Sequence, residues 1–313
     1  MPSINWTNPV YGHSGFDLTE RVSDTSTDSR QIGLYLQDQV EIGRLNLSAG
    51  LRFDDFDIAV RDNTTGTTSN LSDKATTGRL GLLYAFDNGV APYASYATSF
   101  EPVTESSGTA TPFDPTEAEQ VELGVKWASD DNRFFAQAAV FDLQQTGVIT
   151  YDPSTWAAEQ IGRIDSRGLE LETRAELVGA WSVIASAAWL DAEIRQSSRS
   201  TEVGNTPARL PEFTTSLWTK YTSEAGYDIG VGLRHIGKSQ GDNANSFEVP
   251  AVTLVDLALG YDFGKLSPAY DGLHGQINVQ NLTDKFYTAS CASAYACFVG
   301  QERTVIAALV YKF

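Results

Sequence analysis

The sequence predicts an all-β chain whose strands cross a bilayer as part of a transmembrane antiparallel barrel, and three observations predict it. Apolar and polar residues alternate in long runs, as they do where one face of a strand is greasy and the other wet. Many runs exceed the ~5–6 residues usual in soluble sheets and suit the ~9–11 that a spanning strand needs. Short and long connections alternate between them, as consecutive strands crossing in opposite directions require.

In chain order, a run over residues 29–42 is closed by a tight turn at Gly43, and a second ends before a polar stretch over residues 54–74 that reads as a long loop. A short turn at Asp87-Asn88-Gly89 precedes a long loop over 101–117, and a turn over 129–132 leads into a strand over 133–150. Long loops are expected over 145–159, 191–209, 237–249 and 286–300, with short turns at Val178-Gly179-Ala180, 222–226 and 264–272 between them. Alternation is cleanest late in the chain. Val255, Leu257, Leu259, Tyr261 and Phe263 share one face; Ile277 and Val279 repeat the pattern, as do Val305, Ala307, Leu309, Tyr311 and Phe313. The count is about thirteen strands, and no sustained helical periodicity competes.

Phe86, Trp127, Trp181, Tyr221, Phe263 and Phe313 all lie within a residue or two of a short turn, which resembles an interfacial girdle. Short turns face the periplasm in such barrels, so an odd number of strands ending inside must begin outside. Residues 1–28 are therefore expected to be an extracellular-loop remnant and residues 29–313 barrel, with the chain beginning inside a longer protein.

Composition excludes several classes. Net charge is −18 with no basic run, which argues against nucleic acid. No apolar stretch approaches the ~20 residues of a spanning helix, and the first residues lack a secretory pattern. His13, His235 and His274 are scattered, and no nucleophile–base grouping stands out, so neither a metal centre, a cofactor nor an enzyme is expected. Asp54, Asp55 and Asp57 invite a calcium reading, but a solvated loop start is favoured. Gly230-Val231-Gly232 is a fragment of a phosphate-loop pattern on a strand with no helix after it, and is discarded. Cys291 and Cys297 share one polar loop, for which a short-loop disulfide in an oxidising compartment is the natural reading.

Several segments together resemble the barrel of TonB-dependent siderophore receptors. They are Leu34-Tyr35-Leu36-Gln37-Asp38-Gln39 with Gly50-Leu51-Arg52-Phe53-Asp54, the run Tyr93-Ala94-Ser95-Tyr96-Ala97-Thr98-Ser99-Phe100-Glu101-Pro102, Glu122-Leu123-Gly124-Val125-Lys126 after Pro115-Thr116-Glu117, and Ser166-Arg167-Gly168-Leu169-Glu170-Leu171-Glu172. Asn278-Val279-Gln280-Asn281-Leu282-Thr283-Asp284-Lys285 and the closing strand resemble the family's C-terminal signature, with Phe313 as the terminal aromatic read by the barrel-assembly machinery. Cys291 to Cys297 with Phe298 looks like the last external loop of ferrichrome-type receptors, where the cysteines are bonded.

The resemblance implies the C-terminal strands of a barrel of about 22, without the N-terminal plug that fills it and contacts TonB. It implies uptake of a ferric siderophore, suspected to be of hydroxamate type, across the outer membrane of a Gram-negative bacterium. Ligand contacts would come from aromatics near the outer mouth: Tyr295 and Phe298 beside the cysteines, then Tyr151 and Trp156 in another external loop. The competing expectations are a passive porin-like channel, a nonfunctional remnant of a receptor, and a soluble β-sandwich.

Overall fold

A computed structural model of the chain describes residues 24–104, 112–151 and 158–313. Long strands come first: β1 (Thr25–Ile42), β2 (Leu45–Asp62), β3 (Thr68–Tyr84), β4 (Val90–Glu101), β5 (Thr116–Ala128), β6 (Phe134–Tyr151), β7 (Ala158–Leu177) and β8 (Trp181–Gln196). Then follow β9 (Phe213–Thr222), β10 (Tyr227–Ile236), the two-residue β11 (Ser239–Gln240) and β12 (Glu248–Val249), and β13 (Val252–Asp262). The chain closes with β14 (Leu273–Gln280), β15 (Thr288–Ser293), β16 (Ala296–Val299) and β17 (Thr304–Tyr311).

Among the described residues thirteen of these form one antiparallel sheet, in the order β1 to β10, β13, β14, β17. Each strand pairs with the next in sequence, except where the β11–β12 ribbon and the β15–β16 hairpin interrupt the meander. The strand count expected from periodicity therefore holds. The turns at 43–44, 178–180 and 223–226 fall at one end of the sheet, where Ile42 pairs Leu45, Leu177 pairs Trp181 and Thr222 pairs Asp228. Gly43 turns there at φ 63°, in the left-handed region that glycine enters without steric penalty.

Register fixes what each face carries. Leu36 stands opposite Leu51, Leu47 opposite Leu82, Ala94 opposite Leu123, and Leu123 opposite Val140. The belt continues through Val231 and Leu257 to Ile277 and Ala307. Its side chains are exposed, Leu36 to 75% and Leu123 to 54%, where a soluble sheet would bury them. In a bilayer this face meets lipid. Asp38 interrupts the belt on β1, opposite Ala49, and nothing in the structure explains a carboxylate at that place.

Aromatic pairs bound the belt on both sides. At the short-turn end Trp181 lies 5.1 Å from Tyr221, Tyr84 4.8 Å from Phe86, and Tyr261 5.2 Å from Phe263. At the other end Trp189 lies 4.7 Å from Phe213. Trp181 and Trp189 share β8, so the two rows stand ~27 Å apart along the strand, or ~20 Å across a bilayer at a tilt of ~40°. That approaches the ~25 Å apolar band of outer-membrane barrels.

The structure corrects the expected long loops. Residues 54–74 are mostly strand: β2 runs to Asp62 and β3 starts at Thr68, leaving a five-residue turn at 63–67. β6 and β8 likewise extend to Tyr151 and Gln196, and β1 begins at Thr25 rather than Ser29. Above the belt a strand can be polar on its outer face, so alternation with lipid-facing apolar residues ends before the strand does. The aspartate trio is accordingly no loop start. Asp54 is buried and held by Arg52 and Gln31, while Asp55 pairs with Lys74 and Asp57 accepts from Ser72. Asp54 points to the face opposite Asp55 and Asp57, so the three carboxylates do not converge on a cation.

Candidate functional site at the outer mouth

The face opposite the lipid belt carries paired polar groups. Tyr93 Oη donates to Glu122 at 2.6 Å and accepts from Gln137 at 3.1 Å, with Lys126 Nζ 5.0 Å from its ring centre. Arg234 forms a two-pronged pair with Asp256, at 2.6 and 3.0 Å. Gly230 and Gly232 lie on this face by register, under Trp218, and a Cβ at Gly230 would run into the indole. Their spacing serves packing of a neighbouring strand.

Three outer connections assemble at the end away from the short turns. The β8–β9 connection carries a 3-10 turn at Ser200–Glu202 and docks on the loop between β11 and β12 through asparagines. Asn245 Nδ2 donates to the Thr206 carbonyl at 2.7 Å while its Oδ1 accepts from the Thr206 amide at 3.0 Å. Asn243 Oδ1 accepts from the Ala208 amide at 2.9 Å, and Asn205 donates to the Asn243 carbonyl at 3.0 Å. Reciprocal amide bonds of this kind fix two loops to each other, because a donor and an acceptor on one loop are both met by the other.

The third connection is the β15–β16 hairpin, closed by a disulfide between Cys291 and Cys297. Its base is built by the Asn-Leu-Thr-Asp segment. Asn281 is 2% exposed at φ 49°; its side chain donates to the carbonyls of Lys285 and Gln301 and accepts from the Lys285 amide. Its own amide donates to Asp256 at 2.9 Å, which joins the hairpin base to the Arg234–Asp256 pair in the wall. Asp284, also left-handed at φ 56°, receives the Arg303 amide at 3.0 Å and guanidinium at 3.1 Å. The motif is thus a corner that turns the chain out of β14 and back into β17.

Of the expected contact residues, Tyr295 stands fully exposed at the hairpin tip and Phe298 is 55% exposed on β16. Tyr151 is the last residue of β6, with five strands between it and β14 in the sheet. Trp156 and His13 lie outside the described residues. His235 stacks 6.0 Å from Phe213 and shares a 2.8 Å hydrogen bond with Thr253, a place in the wall rather than in a metal centre. Phe313 is fully exposed beside Tyr311 at the short-turn end. Sequence reasoning passed over Arg209, Asn243 and Asn245. The available signal was the run Gly241-Asp242-Asn243-Ala244-Asn245, whose side chains favour local backbone bonds.

Outside the membrane-spanning segments, Lys238 is held above the ordinary ammonium range by its bond to Glu248. Asp131, in the β5–β6 turn, is held below the usual carboxylate range by the Ser129 hydroxyl and the Arg133 amide.

Residues 2–282 match the family described as TonB dependent receptor-like, beta-barrel. The chain is 36% identical over its whole length to the ferrichrome outer membrane transporter/phage receptor of Escherichia coli, of which it spans 43%. It is 34% identical, again over its whole length, to the ferrioxamine B receptor of Salmonella typhimurium, spanning 45% of it. The solved siderophore receptor PiuA from Acinetobacter baumannii superposes with a TM-score of 0.78 at 26% identity, covering 93% of this chain and 44% of that one. The chain thus spans less than half the length of the curated relatives it matches. A thirteen-stranded wall with a lipid belt, two aromatic rows and a disulfide-closed outer hairpin accords with these matches, and the chain belongs to the TonB-dependent receptor β-barrel family of the Gram-negative outer membrane.

Proposed function

We propose that this chain is the C-terminal barrel portion of a receptor that imports ferric siderophores of the hydroxamate class with energy delivered through TonB. The observation that carries the reading is the disulfide-closed hairpin at the outer mouth, which presents Tyr295 and Phe298 at its tip and side. Three singly charged hydroxamates neutralise a ferric ion, so the complex is compact and offers apolar edges that suit aromatic side chains. A carboxylate of the outer loops such as Asp242 would repel a complex that keeps a triple negative charge. The named ligands of two relatives, ferrichrome and ferrioxamine B, are in keeping with this chemistry.

In this reading Tyr151 and Trp156 add contacts from another external connection, the barrel portion begins with β1 at Thr25 rather than at residue 29, and the external loop expected ahead of it falls on residues that lie almost wholly outside the described ones. The plug and its TonB-contacting segment would come from outside these 313 residues. The exposed Phe313 is the residue the barrel-assembly machinery reads, and the apolar belt meets outer-membrane lipid.

The test is uptake of radiolabelled iron by cells lacking their own hydroxamate receptors but expressing the full receptor polypeptide that contains this chain. Ferrichrome or ferrioxamine B uptake is expected to depend on TonB, and Tyr295→Ala with Phe298→Ala to raise the half-saturating concentration about tenfold. A receptor that reaches the outer membrane and takes up neither compound overturns the reading.

A further inference from the structure

Arg209 occupies a place that its residue type makes costly. Its φ is 68°, in the left-handed region where a long L side chain crowds its own backbone, and such positions persist only where surrounding contacts over-determine them. Two contacts do so. Its amide donates to the carbonyl of Gln240, in the β11–β12 ribbon, at 3.0 Å, and its Nε donates to the backbone carbonyl of the disulfide-bonded Cys291 at 3.0 Å. One residue of the β8–β9 connection therefore binds both other connections, reaching 82 positions along the chain to the second.

The rest of the arrangement shows why this bond matters. The asparagine bonds described above join the first two loops to each other. The hairpin is anchored below by Asn281 and flanked by β12, and its other half leaves Tyr295 and Phe298 exposed. A disulfide fixes the hairpin internally; it does not orient it. The Arg209 bond falls on the buried cysteine, where holding one carbonyl sets the direction of the whole closed loop.

We infer that Arg209 is a positioning residue: its guanidinium latches the disulfide hairpin to the other two outer loops and so presets Tyr295 and Phe298 over the mouth. The importance of that preset for siderophore capture rests on the function proposed above; the latch itself does not.

Arg209→Gly separates the two contributions of the residue. Glycine adopts a positive φ freely and keeps the amide bond to Gln240, so folding is spared while the guanidinium is lost. In the full receptor polypeptide in outer-membrane vesicles, hydrogen exchange of residues 288–299 is expected to become about fivefold to tenfold faster in Arg209→Gly, with β9 and β10 unchanged. Arg209→Lys, which keeps a donor near Cys291, should restore part of the protection. Ferrichrome as probe should then show a raised half-saturating concentration with an unchanged maximal uptake rate, since presetting acts on capture. Unchanged exchange in Arg209→Gly overturns the latch whatever the transport result. Faster exchange in a receptor that takes up no hydroxamate sustains the latch and removes the function instead.

Discussion

The lower and upper parts of β2 use the same alternation for opposite purposes. From Leu47 to Phe53 the apolar residues are the odd-numbered ones, and they stand exposed on the face that an outer-membrane barrel turns to lipid. From Phe56 to Val60 they are the even-numbered ones, buried on the other face and packed with Leu71 and Phe100. The ring of Phe56 lies 4.9 Å from that of Phe100. β8 repeats the change: Trp189 is exposed at the upper aromatic row, and five residues on Ile194 is fully buried against Ile164 and Val148. The strand crosses from lipid to water between these points. Below the crossing the apolar side turns outward because the solvent is oil; above it the apolar side turns away from water as in any soluble sheet.

That comparison breaks most sharply on the lipid face. Leu123 lies in the middle of the belt between Ala94 and Val140, and Leu123→Arg is expected to cost ~2–4 kcal/mol of folding stability in lipid vesicles. Gln276→Arg, on the opposite face of β14, should change the same unfolding midpoint little, because that side chain faces the polar lumen. Equal costs for the two would show that the faces are wrongly assigned.

At the upper level stability comes from single bonded residues rather than from area, and Asn281→Ala sharpens the contrast. The substitution leaves two carbonyls and one amide without their partner and keeps a positive φ on a residue that disfavours it. A loss of ~2–3 kcal/mol is expected by denaturant unfolding, with hydrogen exchange rising first in residues 281–303 and later in the wall. A uniform rise across all strands would instead make Asn281 part of the wall's own stability.

How much was legible in the sequence follows the same boundary. The belt strands could be read from alternation alone: Leu257, Leu259 and Tyr261 alternate along β13 as expected, and the thirteen-strand count holds among the described residues. The strand extensions above the membrane were read as loops because Asp54, Asp55 and Asp57 end the lipid-facing pattern. Yet Phe56, Ile58 and Val60 keep period two with the phase shifted by one residue, a signal that was present and unused. The disulfide was legible from two cysteines in one loop. Arg209 was not, because its partner Cys291 is distant in sequence and a positive φ leaves no mark on residue type when the residue is not glycine or asparagine.

The orientation of the wall is the central claim, and impermeant thiol labelling of intact cells tests it most directly. Thr65, in the β2–β3 turn above the belt, and Asp131, in the β5–β6 turn below it, are both exposed, and the two native cysteines are bonded to each other. Thr65→Cys should label on intact cells, and Asp131→Cys only after the outer membrane is opened. Labelling of Asp131→Cys with Thr65→Cys protected would invert the barrel and contradict the account.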